Sequence, residues 1–195
     1  MLSTVLIAVI TAALIFEFIN GFHDTANAIA VSIHTGALSA GRAVALAAVM
    51  NLLGAFASEN VARTISGELI SAAIDEYTII SALIAAIIWN LFTWYLGMPA
   101  SSSHALIGAL IGASVVFTGS TDAVLWKNLV LKVVLPLFLC PPAGFAAGAL
   151  ASLFIKKKNR IMQIVASAFV AFSHGENDAQ KTMGIITLAL AGRGI

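Results

Sequence analysis

The sequence has 195 residues, of which 60% are hydrophobic and only 10% charged, with a formal net charge of +1 and a mean hydropathy of +1.00. Soluble domains carry about 25% charged residues, so this balance excludes a soluble enzyme, a disordered tail and a coiled coil. With one short basic run it also excludes a nucleic-acid binder.

What remains is an all-α, polytopic protein of the lipid bilayer, with room for at most about seven or eight spans of ~20 residues each. Residues 2–19 are apolar apart from Thr4, Thr11 and Glu17 and have no Lys or Arg ahead of the apolar run, which reads as a retained span and not as a cleaved signal peptide. Residues 20–36 are studded with polar groups. Residues 41–58 are apolar again, with Asn51 near the middle. Residues 59–76 hold Glu59, Arg63, Glu68, Asp75 and Glu76 and read as an interfacial segment. Residues 77–97 form a clean span ending in Trp89, Phe92, Trp94 and Tyr95, the aromatic belt expected at a membrane boundary.

Residues 98–118 open with Met98-Pro99-Ala100-Ser101-Ser102-Ser103-His104 and continue with Gly108, Ala109, Gly112 and Ala113. Pro99 starts a helix, and the small residues permit close packing. The pattern predicts a re-entrant hairpin, which needs protein or a water-filled cavity around it. Residues 125–155 are apolar but interrupted by Pro136, Pro141 and Pro142. Residues 156–160, with Lys156, Lys157, Lys158 and Arg160, read as a short cytoplasmic loop. Residues 161–192 are a last apolar block. The division expected is a first repeat over 1–155, the basic loop, and the start of a second repeat over 161–195. Which side the N-terminus faces depends on how many blocks cross, and the sequence leaves that open. Cys140 is the one cysteine and makes no internal disulfide.

Two apolar blocks are broken in the same manner. Gly21-Phe22-His23-Asp24-Thr25-Ala26-Asn27-Ala28 and Gly175-Glu176-Asn177-Asp178-Ala179-Gln180-Lys181-Thr182 share Gly and Asp in register, 154 positions apart. Paired interruptions of this kind mark transporter repeats with a site at the bilayer midplane. An ionised Asp there costs about 2.5–3.5 kcal/mol on insertion scales, so it needs a partner. A helix starting near either glycine would offer free N–H groups to an anion. Asp24 and Asn27 share a helix face, as do Asp178 and Lys181, and carboxylate and amide oxygens suit a hard cation. The bland alternatives are that Asp24 caps a helix, that Asp178–Lys181 is a structural ion pair, and that the serines are a cap with His104 as a hydrogen-bonded orienter. Glu17 faces either the same cavity or the boundary. His23 and His174 flank the two Asp motifs and either titrate or complete a hydrogen-bond network. Asn51 and Asn90 suit interhelical hydrogen bonds, while His34 and the acidic stretch are surface or structural features.

With these residues assembled, the chain resembles the inorganic phosphate transporter (PiT) family. The matching stretches are Gly21 to Ala28, Met98 to His104 and Phe172 to Gly184, in that order. The resemblance implies a secondary transporter of inorganic phosphate, coupled to Na+ or H+ and built from inverted repeats, in the plasma (inner) membrane of a bacterium or archaeon. It implies no catalysis and no cofactor beyond the coupling cation. By motif match, Ser101, Ser102, Ser103, Asn27 and Lys181 would bind phosphate, and Asp24, Asn27 and Asp178 the coupling ion, with Na+ on Asp24 and Asp178 if sodium is the partner. The family's second motif usually reads G-A-N-D, and here Glu176 adds a carboxylate. Family members also carry a second Ser/Thr-rich hairpin after the second Asp motif, so the chain reads as an N-terminal portion that does not transport alone.

The alternatives are a sulfate permease on a similar scaffold and a non-transporting half-protein completed by a second copy or a missing C-terminal half. An intramembrane hydrolase would use one of Ser101–Ser103 with His23 or His174, but the Gly-x-Ser-x-Gly elbow is absent.

Overall fold

The computed structural model describes residues 3–70, 74–154 and 159–193. Lys156, Lys157 and Lys158 of the basic loop lie outside the described residues. The chain is helical almost throughout: α1 (Thr4–His34), α2 (Ala40–Ala55), α3 (Asn60–Arg63, running into a π-helical turn Thr64–Glu68), α4 (Glu76–Tyr95), α5 (Ser102–Thr118), α6 (Trp126–Leu129, running into a π-helical turn Val130–Val134), α7 (Leu135–Phe154) and α8 (Arg160–Ala191). Among the described residues the only extended pairing is an isolated bridge between Ile70 and Val124.

Three segments are long and apolar enough to cross a membrane: α1, α4 and Trp126–Phe154. A fourth is the pair α2 and α3, bent by 60°. The acidic stretch 59–76 therefore contains the second limb of a bent apolar pair. At 17 residues, α5 reaches only about 26 Å at 1.5 Å per residue, short of a ~30 Å hydrocarbon core. It packs against α4 after a turn at Gly97, whose φ of 66° suits a residue without Cβ.

α8 is less apolar than these segments yet lies at the centre, packed on α1, α2 and α3. α1 and α8 run antiparallel along their whole lengths. Ser3 meets Arg193, Glu17 meets Thr182, Ser32 meets Ser167, and Ala37 meets Arg160. On α1 one stripe, Leu6, Val9, Ala13, Phe16 and then Asn20, is almost completely buried. Its outer part joins Ile79, Leu83, Leu106, Leu110 and Ile185 in the main apolar core. Its inner end turns polar at Asn20 and Asp24.

The polar motifs interrupt hydropathy but not the helix. Gly21 to Ala28 lies inside α1 and Gly175 to Thr182 inside α8, because polar side chains facing one another across a helix pair leave the backbone bonds intact. No helix begins at either glycine, so neither motif offers free N–H groups. Likewise Pro141 and Pro142 sit within the continuous α7. The π-helical turn Val130–Val134 precedes Pro136, whose missing N–H leaves one ladder bond unmade.

The real break falls at residues 56–59, between α2 and α3. Backbone groups freed at a break in the bilayer must find partners inside the protein. Buried Gln180 supplies them: its Oε1 accepts from the N–H of Val61 at 3.0 Å and of Ala62 at 3.4 Å, and its amide donates to the Ser58 carbonyl.

Candidate functional site

Near the middle of the α1–α8 pair the two Asp motifs meet, and α5 brings a serine to them. Lys181, only 2% exposed, points its ammonium at three oxygens: Asp178 Oδ1 at 2.7 Å, Ser102 Oγ at 2.8 Å and Asn20 Oδ1 at 3.5 Å. The Ser102 hydroxyl accepts from Lys181 and donates to Asp24 Oδ2 at 3.1 Å. The lysine therefore touches one carboxylate directly and the other through one hydroxyl. His174 Nε2 lies 2.9 Å from Asp178 Oδ2, and its Nδ1 lies 3.2 Å from Asn51 Oδ1 on α2. Ligand atoms of Asp24, His174 and Asp178 all fall within 4.8 Å of one another. Residues 154 positions apart thus form one cluster.

The elements explain the arrangement. Glu17, Asn20, Asp24 and Asn27 recur at three- and four-residue intervals, one face of α1. His174, Asp178 and Lys181 do the same on α8. Gly54 and Gly175 bring α2 onto α8: a Cβ on Gly175 would run into the Asn51 backbone, and one on Gly54 into the Phe172 carbonyl. The start of α5 delivers Ser102, and with it the partial positive charge of a helix N-terminus, beside Asp24.

Three cavities border the cluster. One of 400 Å3 is lined by Glu17, Asn20, Gly21, Asn51, His174 and Asp178. One of 310 Å3 is lined by His23, Asp24, Asn27, Trp94 and Pro99. The largest, 760 Å3, reaches Lys181 past Ser103, His104 and Asn177 and has Arg63, Glu68 and Lys132 around it. Glu68 is engaged there by Lys132 and by the Thr64 hydroxyl, a structural use of the acidic stretch.

The sequence candidates separate by position. Asp24, Ser102, Asp178 and Lys181 come together. Asn27 is exposed and lines the cavity beside Asp24. Ser103 lines the largest cavity. Ser101 is the N-cap of α5, its Oγ accepting from the His104 N–H at 3.4 Å and lying 2.7 Å from His104 Nδ1. His104 is thus hydrogen-bonded to the cap serine of its own helix. Glu17 faces the 400 Å3 cavity and accepts from Thr182 Oγ1 at 2.7 Å. Glu176 is absent from the carboxylate cluster. Asn51 makes its interhelical contact with His174, whereas the buried Asn90 amide nitrogen has no partner among the described residues, contrary to the expectation for it. Asn20, 1% exposed, was not singled out from sequence; its signal was an amide four residues before Asp24 on the same face.

A family model described as "Phosphate transporter family" matches residues 20–160. The chain is 45% identical to the "Probable low-affinity inorganic phosphate transporter" of Bacillus subtilis (strain 168) over 94% of its own length and 59% of that protein's. It is 44% identical to the protein of the same description in Mycobacterium tuberculosis (strain ATCC 25618 / H37Rv), over 97% of this chain and 48% of that one. It therefore spans roughly half the length of these curated relatives. A solved structure titled "The sodium-dependent phosphate transporter" superposes with a TM-score of 0.82 over 98% of this chain and 68% of that chain, at 22% identity, a likeness of fold.

Proposed function

We propose a function from one premise: the chain belongs to the phosphate transporter family. The activity is cation-coupled entry of inorganic phosphate by a secondary transporter of a bacterial plasma membrane, with Na+ or H+ as the coupling ion. The observation that carries this reading is the cluster of Asp24, Ser102, Asp178 and Lys181 between α1, α5 and α8, bordered by cavities. Carboxylates inside an apolar helix bundle are costly and mark ion or substrate pathways by default. Asp24 and Asp178 are the anionic groups of the site: Asp24 opens onto a cavity where the Asn27 amide adds an oxygen for a coupling cation, and Asp178 is paired with Lys181. The hydroxyls of Ser102 and Ser103 are groups of the kind a phosphate oxygen accepts from, the Lys181 ammonium behind Ser102 adds positive charge, and Ser101 holds the start of α5 in place. Cation and anion then lie close enough to screen one another, so each favours the other's binding.

Uptake of radiolabelled phosphate into proteoliposomes holding the complete protein, under an imposed Na+ or H+ gradient, tests this, with sulfate as competitor. Phosphate entry driven by one of the gradients and insensitive to sulfate is expected. Entry of sulfate in preference to phosphate would make the protein a sulfate permease. Asp24→Asn is expected to abolish gradient-driven uptake while the protein still inserts, and wild-type uptake by that variant would remove Asp24 from the mechanism.

A further inference from the structure

The two Asp motifs differ at one chemically decisive position. In register, Asp24 is followed three residues later by Asn27, and Asp178 by Lys181. The Lys181 ammonium lies in an all-oxygen shell made of a carboxylate, a hydroxyl and an amide: Asp178 Oδ1 at 2.7 Å, Ser102 Oγ at 2.8 Å and Asn20 Oδ1 at 3.5 Å. Those are the donor types that hold a small hard cation. The ammonium brings one positive charge and three N–H donors to three acceptors, and it is almost completely shielded from solvent.

Asp24 is in a different position. Among the described residues no Lys or Arg nitrogen lies within 4 Å of it; its nearest basic neighbour is His23 Nδ1 at 3.5 Å. Its Oδ2 accepts the Ser102 hydroxyl, and it opens onto the 310 Å3 cavity with Asn27. Asp178 is thus met by Lys181 and His174, whereas Asp24 has no lysine or arginine against it among the described residues.

We propose that Lys181 is a tethered cation: its ammonium fills a cation position between Asp178, Ser102 and Asn20, so that the mobile coupling ion is taken at Asp24 alone. This rests on the ion-coupled phosphate reading and deepens it. Lys181 sets the number of cations that move with each phosphate, and an uncharged oxygen-bearing side chain in its place turns the shell into a second site for Na+.

The test counts bound sodium, not transport. Equilibrium binding of radioactive Na+ to the purified full chain is measured at constant ionic strength, with choline as the replacement cation. Lys181→Asn, which copies the residue at the matching position of the first motif, is expected to bind one more Na+ per protein than wild type, and Lys181→Arg none more. Adding Ser102→Ala to the Asn variant is expected to weaken the extra site at least about tenfold. An unchanged sodium count in a folded Lys181→Asn protein would overturn the proposal.

If Lys181→Asn folds only when Na+ is supplied, the proposal is supported. If it folds in no salt, the decision passes to single-Asn replacements in the wild-type background. There Asp178→Asn is expected to leave the sodium count unchanged, and loss of a bound Na+ on that replacement would overturn the proposal. Phosphate uptake is followed on the complete wild-type protein. Its absence would defeat the phosphate reading, while the sodium counts would still decide the role of Lys181.

Discussion

Ser101, Ser102 and Ser103 are neighbours in sequence and do three different things. Ser101 caps α5, Ser102 links Lys181 to Asp24, and Ser103 faces the largest cavity. A triplet at a helix start points its side chains about 100° apart, so equal chemistry becomes unequal position. Ser102→Ala removes hydrogen bonds to two charged groups, each worth about 1.5–3 kcal/mol, and is expected to lower phosphate uptake at least about tenfold. Ser101→Ala is expected to cost about 1 kcal/mol of helix stability with a smaller loss of uptake. Uptake kinetics and thermal melting in detergent, measured side by side, separate the two; equal uptake losses would contradict the division. At this scale residue types were legible in the sequence and partners were not. Asn20 escaped notice because its value lies in Lys181, 161 positions away.

Among the elements, the motif glycines show how one letter serves two purposes. Gly175 lets α8 press its backbone against α2 at Asn51, whereas Gly21 has no atom within 4 Å of where a Cβ would stand and borders the 400 Å3 cavity. Gly175→Ala is therefore expected to lose about 1–3 kcal/mol through overpacking, with a lower melting temperature. Gly21→Ala is expected to be neutral or to gain up to about 1 kcal/mol from helix propensity, at the expense of cavity space. Melting curves for the two variants check both signs. The same scale holds the main departure from the sequence pattern: the polar motifs stay helical, and the chain breaks at 56–59. Hydropathy registers composition along the chain. It does not register that Gln180 reaches the Val61 N–H and the Ser58 carbonyl from another helix and so makes the break tolerable.

For the whole molecule, antiparallel packing of α1 on α8 ties the two ends of α1 to opposite ends of α8, which makes the topology testable. Arg160, at the end of the basic cluster, donates to the Ala37 carbonyl at 2.9 Å, just past the end of α1. If the basic loop is retained on the cytoplasmic side, the end of α1 is cytoplasmic and Ser3 lies on the opposite face, beside Arg193, which also pairs with Glu76. In a Cys140→Ser background, Ser3→Cys is expected to react with a membrane-impermeant maleimide in intact cells. His34→Cys is expected to react only after permeabilisation. The reverse pattern would invert the topology.

The sequence by itself determined the class, the helical composition, the family and the kinds of side chain that carry charge into the bilayer. All of these are written locally, in hydropathy over ~20 residues and in short motifs. Tertiary structure decided which of those side chains meet, which serine bridges and which only caps, where the bilayer helices break, and which carboxylate already has its cation. Each of those outcomes depends on groups brought together from distant parts of the chain. In a medium without water an unpaired polar group is costly, so it is packing between helices, and not local propensity, that gives each polar residue its role.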